Sequence, residues 1–169
     1  TYAGQNVGAH RMDRVEQGAR QGTAIALGTS AVITLLILIF GKNLMAIFTD
    51  TSELVTLSAN MMKILAVGYL AMAITQSLSG VMRGAGDTMT PMWISIITTV
   101  IIRVPVAYGL EFLTRPEGGA MGSGSPDPLF ISLLISWVMG AILTSIAYRM
   151  GRWKKKSIIK QETVQKEHS

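Results

Sequence analysis

The chain has 169 residues, of which 49% are hydrophobic and only 15% are charged, and its formal net charge is +5 at pH 7. A water-soluble domain carries charged residues every few positions, because one face of each helix meets water. The long uncharged runs of this chain exclude that class. The chain also lacks cysteine, so it has no disulfide framework.

Four apolar segments are long enough to cross a membrane. Residues 22–41, 64–82 and 128–148 contain no charged residue, and residues 89–110 contain only Arg103. About 20 helical residues cross the roughly 30 Å of hydrocarbon in a bilayer. The sequence therefore predicts an all-α polytopic membrane protein with spans at about 22–41, 54–82, 89–110 and 128–148.

The basic residues lie mainly on one side of these spans. Three arginines precede the first span, Arg83 lies between the second and third, and seven lysines and arginines follow the fourth. The opposite side carries Lys42 and Arg115. The positive-inside rule places the basic side in the cytoplasm. We therefore expect a multi-pass protein of the plasma membrane, with the lipid bilayer as a partner, both chain ends in the cytoplasm and no nucleic-acid partner.

Polar segments flank the spans at both ends. Residues 1–21 are predicted to form a cytoplasmic loop with a short surface helix, residues 22–148 the transmembrane region, and residues 149–169 a basic cytoplasmic tail. We expect the tail to be disordered or to lie on anionic headgroups. Because the chain begins at Thr1 and not at a methionine, we interpret its start as a cut through a longer protein.

The second span is the most polar, so we expect it to face the bundle interior or a watery cavity. Its candidate cavity residues are Asn60, Tyr69, Gln76 and Ser79. Gln76 has two readings, an interhelical hydrogen bond or a substrate contact. Lys63 also has two, since it can extend to the membrane surface or face an outward-open cavity.

The third span contains Arg103 and Pro105. A proline inside a helix frees a carbonyl group and predicts a kink. An arginine within the membrane is costly and usually faces protein or water. Arg103 is therefore a further candidate cavity residue, although it can also extend to the outer surface. Its expected partner is Glu111 or an acidic residue on a segment outside this chain.

The connection between the second and third spans, residues 83–91, has a clear turn pattern. Gly84 and Gly86 permit positive φ where the second helix must stop. Thr90 is predicted to cap the third helix, with Pro91 at its first position. Asp87 can pair with Arg83 or cap the same helix.

The sequence contains no arrangement of residues typical of a catalytic or metal-binding site. His10 and His168 lie at opposite ends of the chain, and neither has the spacing of a metal ligand. No serine is accompanied by a base in a catalytic arrangement. The sequence therefore predicts no catalytic, cofactor or metal site, and the protein is not expected to be an enzyme.

Four segments resemble, in order and spacing, the MATE (multidrug and toxic compound extrusion) transporters. They are residues 4–9 (GQNVGA), 47–50 (IFTD), 81–91 (VMRGAGDTMTP) and 103–108 (RVPVAY). The residues that carry the two family motif loops are Gly4, Gln5, Asn6, Gly8, Arg83, Gly84, Gly86, Asp87, Thr88 and Pro91.

The resemblance implies a fold and an activity. MATE transporters have twelve helices in two halves, and this chain would supply helices nine to twelve. The family exports drugs or organic cations in exchange for Na⁺ or H⁺, so we expect small-molecule substrates, one of these coupling ions and the missing N-terminal helices as partners. Members often carry an acidic residue in helix ten. Here no Asp or Glu lies between Leu54 and Met82, which suggests coupling through the missing half.

Two other functions stay open. One is a lipid-linked oligosaccharide flippase of related fold, which a more cationic cavity would favour; the spans offer only Lys63 and Arg103. The other is a self-standing membrane scaffold without transport activity.

Overall fold

The computed structural model describes residues 1–114 and 126–154, and within them the chain is helical without a β-strand. This confirms the predicted all-α class. A π-helical segment, Ile97–Ile102, joins α4 to α5. The α-helices are α1 (Tyr2–Gly8), α2 (Met12–Ala46), α3 (Ser52–Gly84), α4 (Met89–Ile96), α5 (Arg103–Thr114) and α6 (Asp127–Met150).

Four helices are long and apolar enough to cross a membrane, as the sequence predicts. They are α2, α3, α6 and the composite helix Met89–Thr114, which contains α4, the π-helical segment and α5. We call this composite the third spanning helix. The predicted surface helix within residues 1–21 is not separate, because α2 runs from Met12 into the first span without a break. No proline interrupts this stretch, so the backbone hydrogen bonds continue.

The spanning helices pack in a defined order. Helix α2 packs against α3, α3 against α6, and α6 against the third spanning helix. Helix α6 buries a stripe of small residues at four-residue intervals: Ser132, Ser136, Gly140 and Thr144. Small side chains on one helical face let neighbouring backbones approach closely. A Cβ atom at Gly140 would lie 3.6 Å from Thr75 Oγ1 and 3.8 Å from Thr98 Cγ2.

Hydroxyl groups join the helices across these contacts. Thr34 Oγ1 donates to the Ala66 carbonyl oxygen over 2.8 Å, which ties α2 to α3. The hydroxyls of Thr23 and Ser77 are 2.8 Å apart on the same pair of helices. Such bonds satisfy polar groups that lipid cannot. These threonine and serine hydroxyls within the spans therefore help to hold α2 and α3 together.

The outer surface of the bundle is apolar. Ile25 of α2 is 70% exposed and Ile39 is 61% exposed. Side chains of this kind on the surface of membrane-length helices meet the hydrocarbon of the bilayer. The bilayer is therefore a partner of the chain.

Candidate functional site: a polar cavity among three helices

A polar cavity of about 190 Å³ lies among α3, the third spanning helix and α6. Helix α3 brings a row of residues at helical spacing to one wall, since positions four apart share a face. The polar or charged lining residues are Thr75, Gln76, Ser79, Arg83, Ser95, Thr98, Thr99, Arg103 and Ser136, with the indole of Trp137 beside them. No carboxylate is among the described residues that line this cavity.

The structure brings three of the five predicted cavity residues together. Gln76, Ser79 and Arg103 all line the cavity. Tyr69 does not, but its ring stacks on Trp137 with centroids 5.9 Å apart, and Trp137 is part of the wall. Asn60 is exposed and lies about 24 Å from Gln76 along α3, at 1.5 Å per residue.

Several wall residues lie outside the predicted set. Arg83 was assigned to the connection between the second and third spans, but it lies in the last turn of α3 and lines the cavity together with Pro91. Ser136 and Trp137 come from α6. Their signal in the sequence is the row of small residues at four-residue spacing, which marks the helix face that packs inward.

A π-helical turn shapes the wall formed by the third spanning helix. The backbone N–H of Arg103 donates to the Thr98 carbonyl oxygen, five residues earlier, where an α-helix would pair residues four apart. The Ser136 hydroxyl donates to the same carbonyl oxygen over 2.9 Å. This widened turn ends three residues before Pro105, and the kink expected at that proline stays a prediction. Such π-turns occur frequently at functional sites.

Arg103 has a buried nitrogen without a hydrogen bond. Its Nε atom is inaccessible to solvent and has no hydrogen-bond partner among the described residues. The side chain also lines a second cavity of about 590 Å³, together with Glu111, the partner expected from the sequence. A buried donor without an acceptor costs free energy. A hydrogen-bond acceptor placed beside this nitrogen would therefore be stabilising.

The loop after α3 turns on Gly86, whose φ is +93°. The Asp87 carboxylate accepts hydrogen bonds from the Thr90 backbone N–H over 3.3 Å and the Thr90 hydroxyl over 2.6 Å. Asp87 therefore caps the third spanning helix, one of its two expected roles. The prediction that Thr90 is the N-cap is wrong, because the helix begins at Met89 and Asp87 reaches its first turn.

Gly84 has a different reason to be glycine from the one predicted. It is the last residue of α3, and only Gly86 and Gly151 among the described glycines have positive φ. A Cβ atom at Gly84 would lie 3.0 Å from the Ala3 Cβ, and one at Gly4 would lie 3.1 Å from the Gly84 carbonyl oxygen. The two motif loops therefore need glycine where α1 and α3 meet closely.

A small apolar core joins these loops to the start of the tail. Val7 of α1, Val15 of α2, Met82 and Ala85 pack around Trp153, which is 1% exposed. Trp153 Nε1 donates to the Tyr148 carbonyl oxygen over 3.0 Å, and the two rings stack at 5.3 Å. We call these five core residues the Trp153 core, and the end of the bundle that holds them the basic end.

The expectation of a disordered or headgroup-bound tail is wrong for its first residues. Gly151, with φ +69°, ends α6 in a left-handed turn and sends the chain back onto the bundle. Lys154 then forms an ion pair with Glu16 of α2. Residues 155–169 lie outside the described residues. The sequence offers one indication that the chain turns back here. Trp153 is an aromatic residue among basic ones, and it follows Gly151 by two positions.

Three of the four spanning helices thus line a polar cavity within an all-α polytopic membrane bundle. The family model MatE matches residues 1–109. The chain belongs to this family, the multidrug and toxic compound extrusion transporters, which confirms the resemblance seen in the four motif segments. These proteins are transporters and not enzymes, so the prediction that the protein is not an enzyme is confirmed.

Curated relatives match nearly the whole chain. It is 29% identical over 157 residues, 93% of its length, to the probable multidrug resistance protein YoeA of Bacillus subtilis. Identity is 25% over 97% of the chain to the probable multidrug resistance protein NorM of Thermotoga maritima, and 24% over 94% to the multidrug resistance protein MdtK of Edwardsiella ictaluri. No solved structure matches it significantly.

The chain spans about a third of the length of these relatives, 32% of YoeA and 34% of NorM and MdtK.

Proposed function

We propose that the chain is the part of a multidrug exporter that supplies helices nine to twelve, and that the polar cavity is its contribution to the substrate pathway. The observation that carries this proposal is the convergence of Gln76, Ser79 and Arg103, from two spanning helices, on one cavity. Transporters of this architecture bind substrate near the middle of the membrane, between bundles. The printed names of the relatives support drugs as the substrates.

We further propose the orientation and location expected from the charges. The side of the bundle that carries Arg83 and, in the sequence, the seven cations that follow the fourth span then lies in the cytoplasm of a plasma-membrane protein. Both described chain ends belong to that side.

The coupling ion is proposed to be Na⁺ or H⁺, bound mainly outside these four helices. Among the described residues no three His, Asp or Glu side chains form a group that could hold a metal ion, and α3 has no acidic residue between Leu54 and Met82. Carboxylates bind hard metal cations through their oxygens, and they are also groups that take up and release protons. Transport by the full-length protein in vesicles, under a Na⁺ gradient or a pH gradient, distinguishes the two ions.

The first test is drug accumulation. We expect the full-length protein, expressed in an efflux-deficient cell, to lower intracellular ethidium or fluoroquinolone relative to the empty vector. Protein level in the membrane fraction is the control. Unchanged accumulation across a broad compound panel, with the protein correctly inserted, would contradict drug export.

A second test compares two residues of α3. Both side chains are exposed, but Gln76 lines the cavity and Lys63 does not. We expect Gln76→Ala to change the substrate profile of the full-length protein several-fold, about 1 kcal/mol for a lost hydrogen bond, and Lys63→Ala to change it little. Resistance measured across a drug panel gives both profiles. The opposite ranking would mean that another face of α3 meets the substrate.

The flippase alternative depends on how many cations line the cavity, and the structure changes which residues these are. Arg83 joins Arg103 on the wall, while Lys63 does not. Two arginines are a modest positive lining, so drug export remains the leading proposal.

A further inference from the structure

We propose that a groove between α2 and α6 binds one anionic phospholipid, whose phosphate group lies between Arg20 of α2 and Arg149 of α6. The groove has a volume of about 790 Å³, begins at the basic end of the bundle and has α3 as its floor. We call it the basic-end groove. The lipid stays bound to the protein, so the proposal does not depend on which compounds the protein exports.

The lining of the basic-end groove changes from charged to apolar along its length. Asp13, Glu16 and Arg20 of α2 line the part nearest the Trp153 core, which we call the headgroup end. Leu27 lines the other part, the apolar end, and lies about 10 Å beyond Arg20 at 1.5 Å per residue. A phospholipid has the same order of groups, from a charged headgroup to an acyl chain.

Helix α3 supplies the floor of the apolar end. The 2.8 Å contact between the hydroxyls of Thr23 and Ser77 fixes the level at which α2 and α3 face each other. From this level, Leu27 on α2 and Ile74 on α3 both lie one helical turn further from the basic end, and both line the groove. An acyl chain that follows the groove inward therefore meets apolar side chains from two helices.

Both acidic side chains of the groove already have a basic partner. Asp13 forms an ion pair with Arg11 over 3.0 Å, and Glu16 forms one with Lys154. The positive charge that these pairs do not use comes from two arginines, one on each side of the groove.

These two arginines, Arg20 and Arg149, are exposed and line the groove from α2 and α6. Ser145 lies one turn of α6 before Arg149, on the same helical face, and also lines the groove. Guanidinium groups form strong, often bidentate, hydrogen bonds with phosphate oxygens. Two guanidinium groups and one hydroxyl can thus donate to a single phosphate at the headgroup end.

Aromatic side chains lie at the same level as this phosphate position. Tyr148 lines the groove, and its ring stacks on Trp153 with centroids 5.3 Å apart. The Lys154 Nζ lies 5.6 Å from the centre of the Trp153 ring. Tryptophan and tyrosine are enriched where hydrocarbon meets water, and basic pockets between spanning helices at this level bind anionic headgroups.

A spanning helix from another part of the full-length protein is the alternative occupant. Such helices pack through small and apolar side chains, which suit the apolar end but not the two arginines. An anionic phospholipid suits both ends of the groove. The test therefore uses the full-length protein, in which a competing helix would be present.

The experiment measures lipid binding to the purified full-length protein by native mass spectrometry, with dioleoylphosphatidylglycerol and dioleoylphosphatidylcholine in competition. The two lipids share their acyl chains and differ in headgroup charge. We expect phosphatidylglycerol to bind about thirtyfold more tightly, from about fivefold for each of two basic residues. Replacing both residues, Arg20→Gln with Arg149→Gln, is expected to bring this ratio close to one.

Arg14→Gln with Arg152→Gln is the matched control. Both arginines are exposed and close in sequence to the Trp153 core, but neither lines the groove. The control removes the same two positive charges, so the ratio should stay near the wild-type value. An equal loss in the two double variants would assign the preference to the general positive charge of this end and overturn the proposal.

Ala24→Trp tests the apolar end. Ala24 is an exposed residue that lines the groove, so the larger side chain can occupy the groove without entering the packed core. We expect both lipids to bind several-fold more weakly, because the acyl chain loses contacts with the floor, while the ratio between them is kept. Unchanged affinity for both lipids would show that no acyl chain enters the groove, which contradicts the proposal.

The wild-type protein itself gives the last outcome. A ratio near one would show that another part of the protein fills the groove or that the groove does not select charge, and either result overturns the proposal. Circular dichroism of each variant, with the helix content of the wild type, is the control for folding.

Discussion

Trp153→Ala is expected to cause the largest loss of stability of any single truncation in the described part of the chain. Trp153 is 1% exposed and fills the centre of the Trp153 core. Removing a buried aromatic ring leaves a cavity and costs about 3 kcal/mol or more. Thermal unfolding of the purified full-length protein, followed by circular dichroism, measures the loss.

A second readout locates the effect. The substitution should free the segment after Gly151, so that trypsin cleaves at Arg152 and Lys154 faster than in the wild-type protein. Trp93→Ala is the matched control, because Trp93 is 55% exposed and its truncation should cost about 1 kcal/mol or less. Equal effects of the two substitutions would show that Trp153 is not held in the core.

Gly68→Ala is expected to displace Trp137, which is part of the cavity wall. A Cβ atom at Gly68 would lie 2.5 Å from Trp137 Cε3 and 3.1 Å from Leu134 Cδ1. The indole must therefore shift, and with it the stack on Tyr69. Overpacking of this kind costs about 1–3 kcal/mol, and because Trp137 lines the cavity, drug binding should weaken as well.

Gly80→Ala provides the control on the same helix. No heavy atom lies within 4 Å of a Cβ at Gly80, so alanine should raise stability by up to about 1 kcal/mol through its helix propensity. Thermal unfolding of both variants tests the opposite signs. A neutral or stabilising Gly68→Ala would show that α3 and α6 are further apart than described.

The spanning helices could be predicted because their signal is local. Charge in hydrocarbon is costly, so uncharged runs of about 20 residues identify the spans without knowledge of their neighbours. Helix ends are less determined, as α2 shows by continuing from Met12 to Ala46. Nothing in its polar first turns requires a break, and hydropathy alone does not report where a helix leaves the membrane.

The features that escaped prediction depend on distant residues. The π-helical turn at Ile97–Ile102 is held by Ser136, 38 positions away from Thr98 in the sequence. Burial of Trp153 depends on Val7 and Met82, which lie far from it along the chain. Gly84 was singled out as a motif glycine, but for its backbone freedom, whereas its reason is the closeness of Ala3. A contact between distant segments produces no periodic pattern in the local sequence, so it cannot be predicted from that pattern.

Part of the cavity was predictable from polarity alone. Gln76 and Ser79 are polar residues on an otherwise apolar helix, and Arg103 is a charge inside a span; all three line the cavity. Asn60 has the same polarity but lies near the other end of α3, where water can satisfy it. Polarity therefore identifies residues that need a partner or water, and only the packing decides which of these they have.

The Trp153 core has a consequence for how the bundle can move. It links α1, the start of α2, the end of α3 and the chain after α6 through tightly packed groups. Packed interiors resist gradual deformation, so we expect these four chain segments to move together. A label attached beside Trp153 is therefore expected to report the movement of all four segments together.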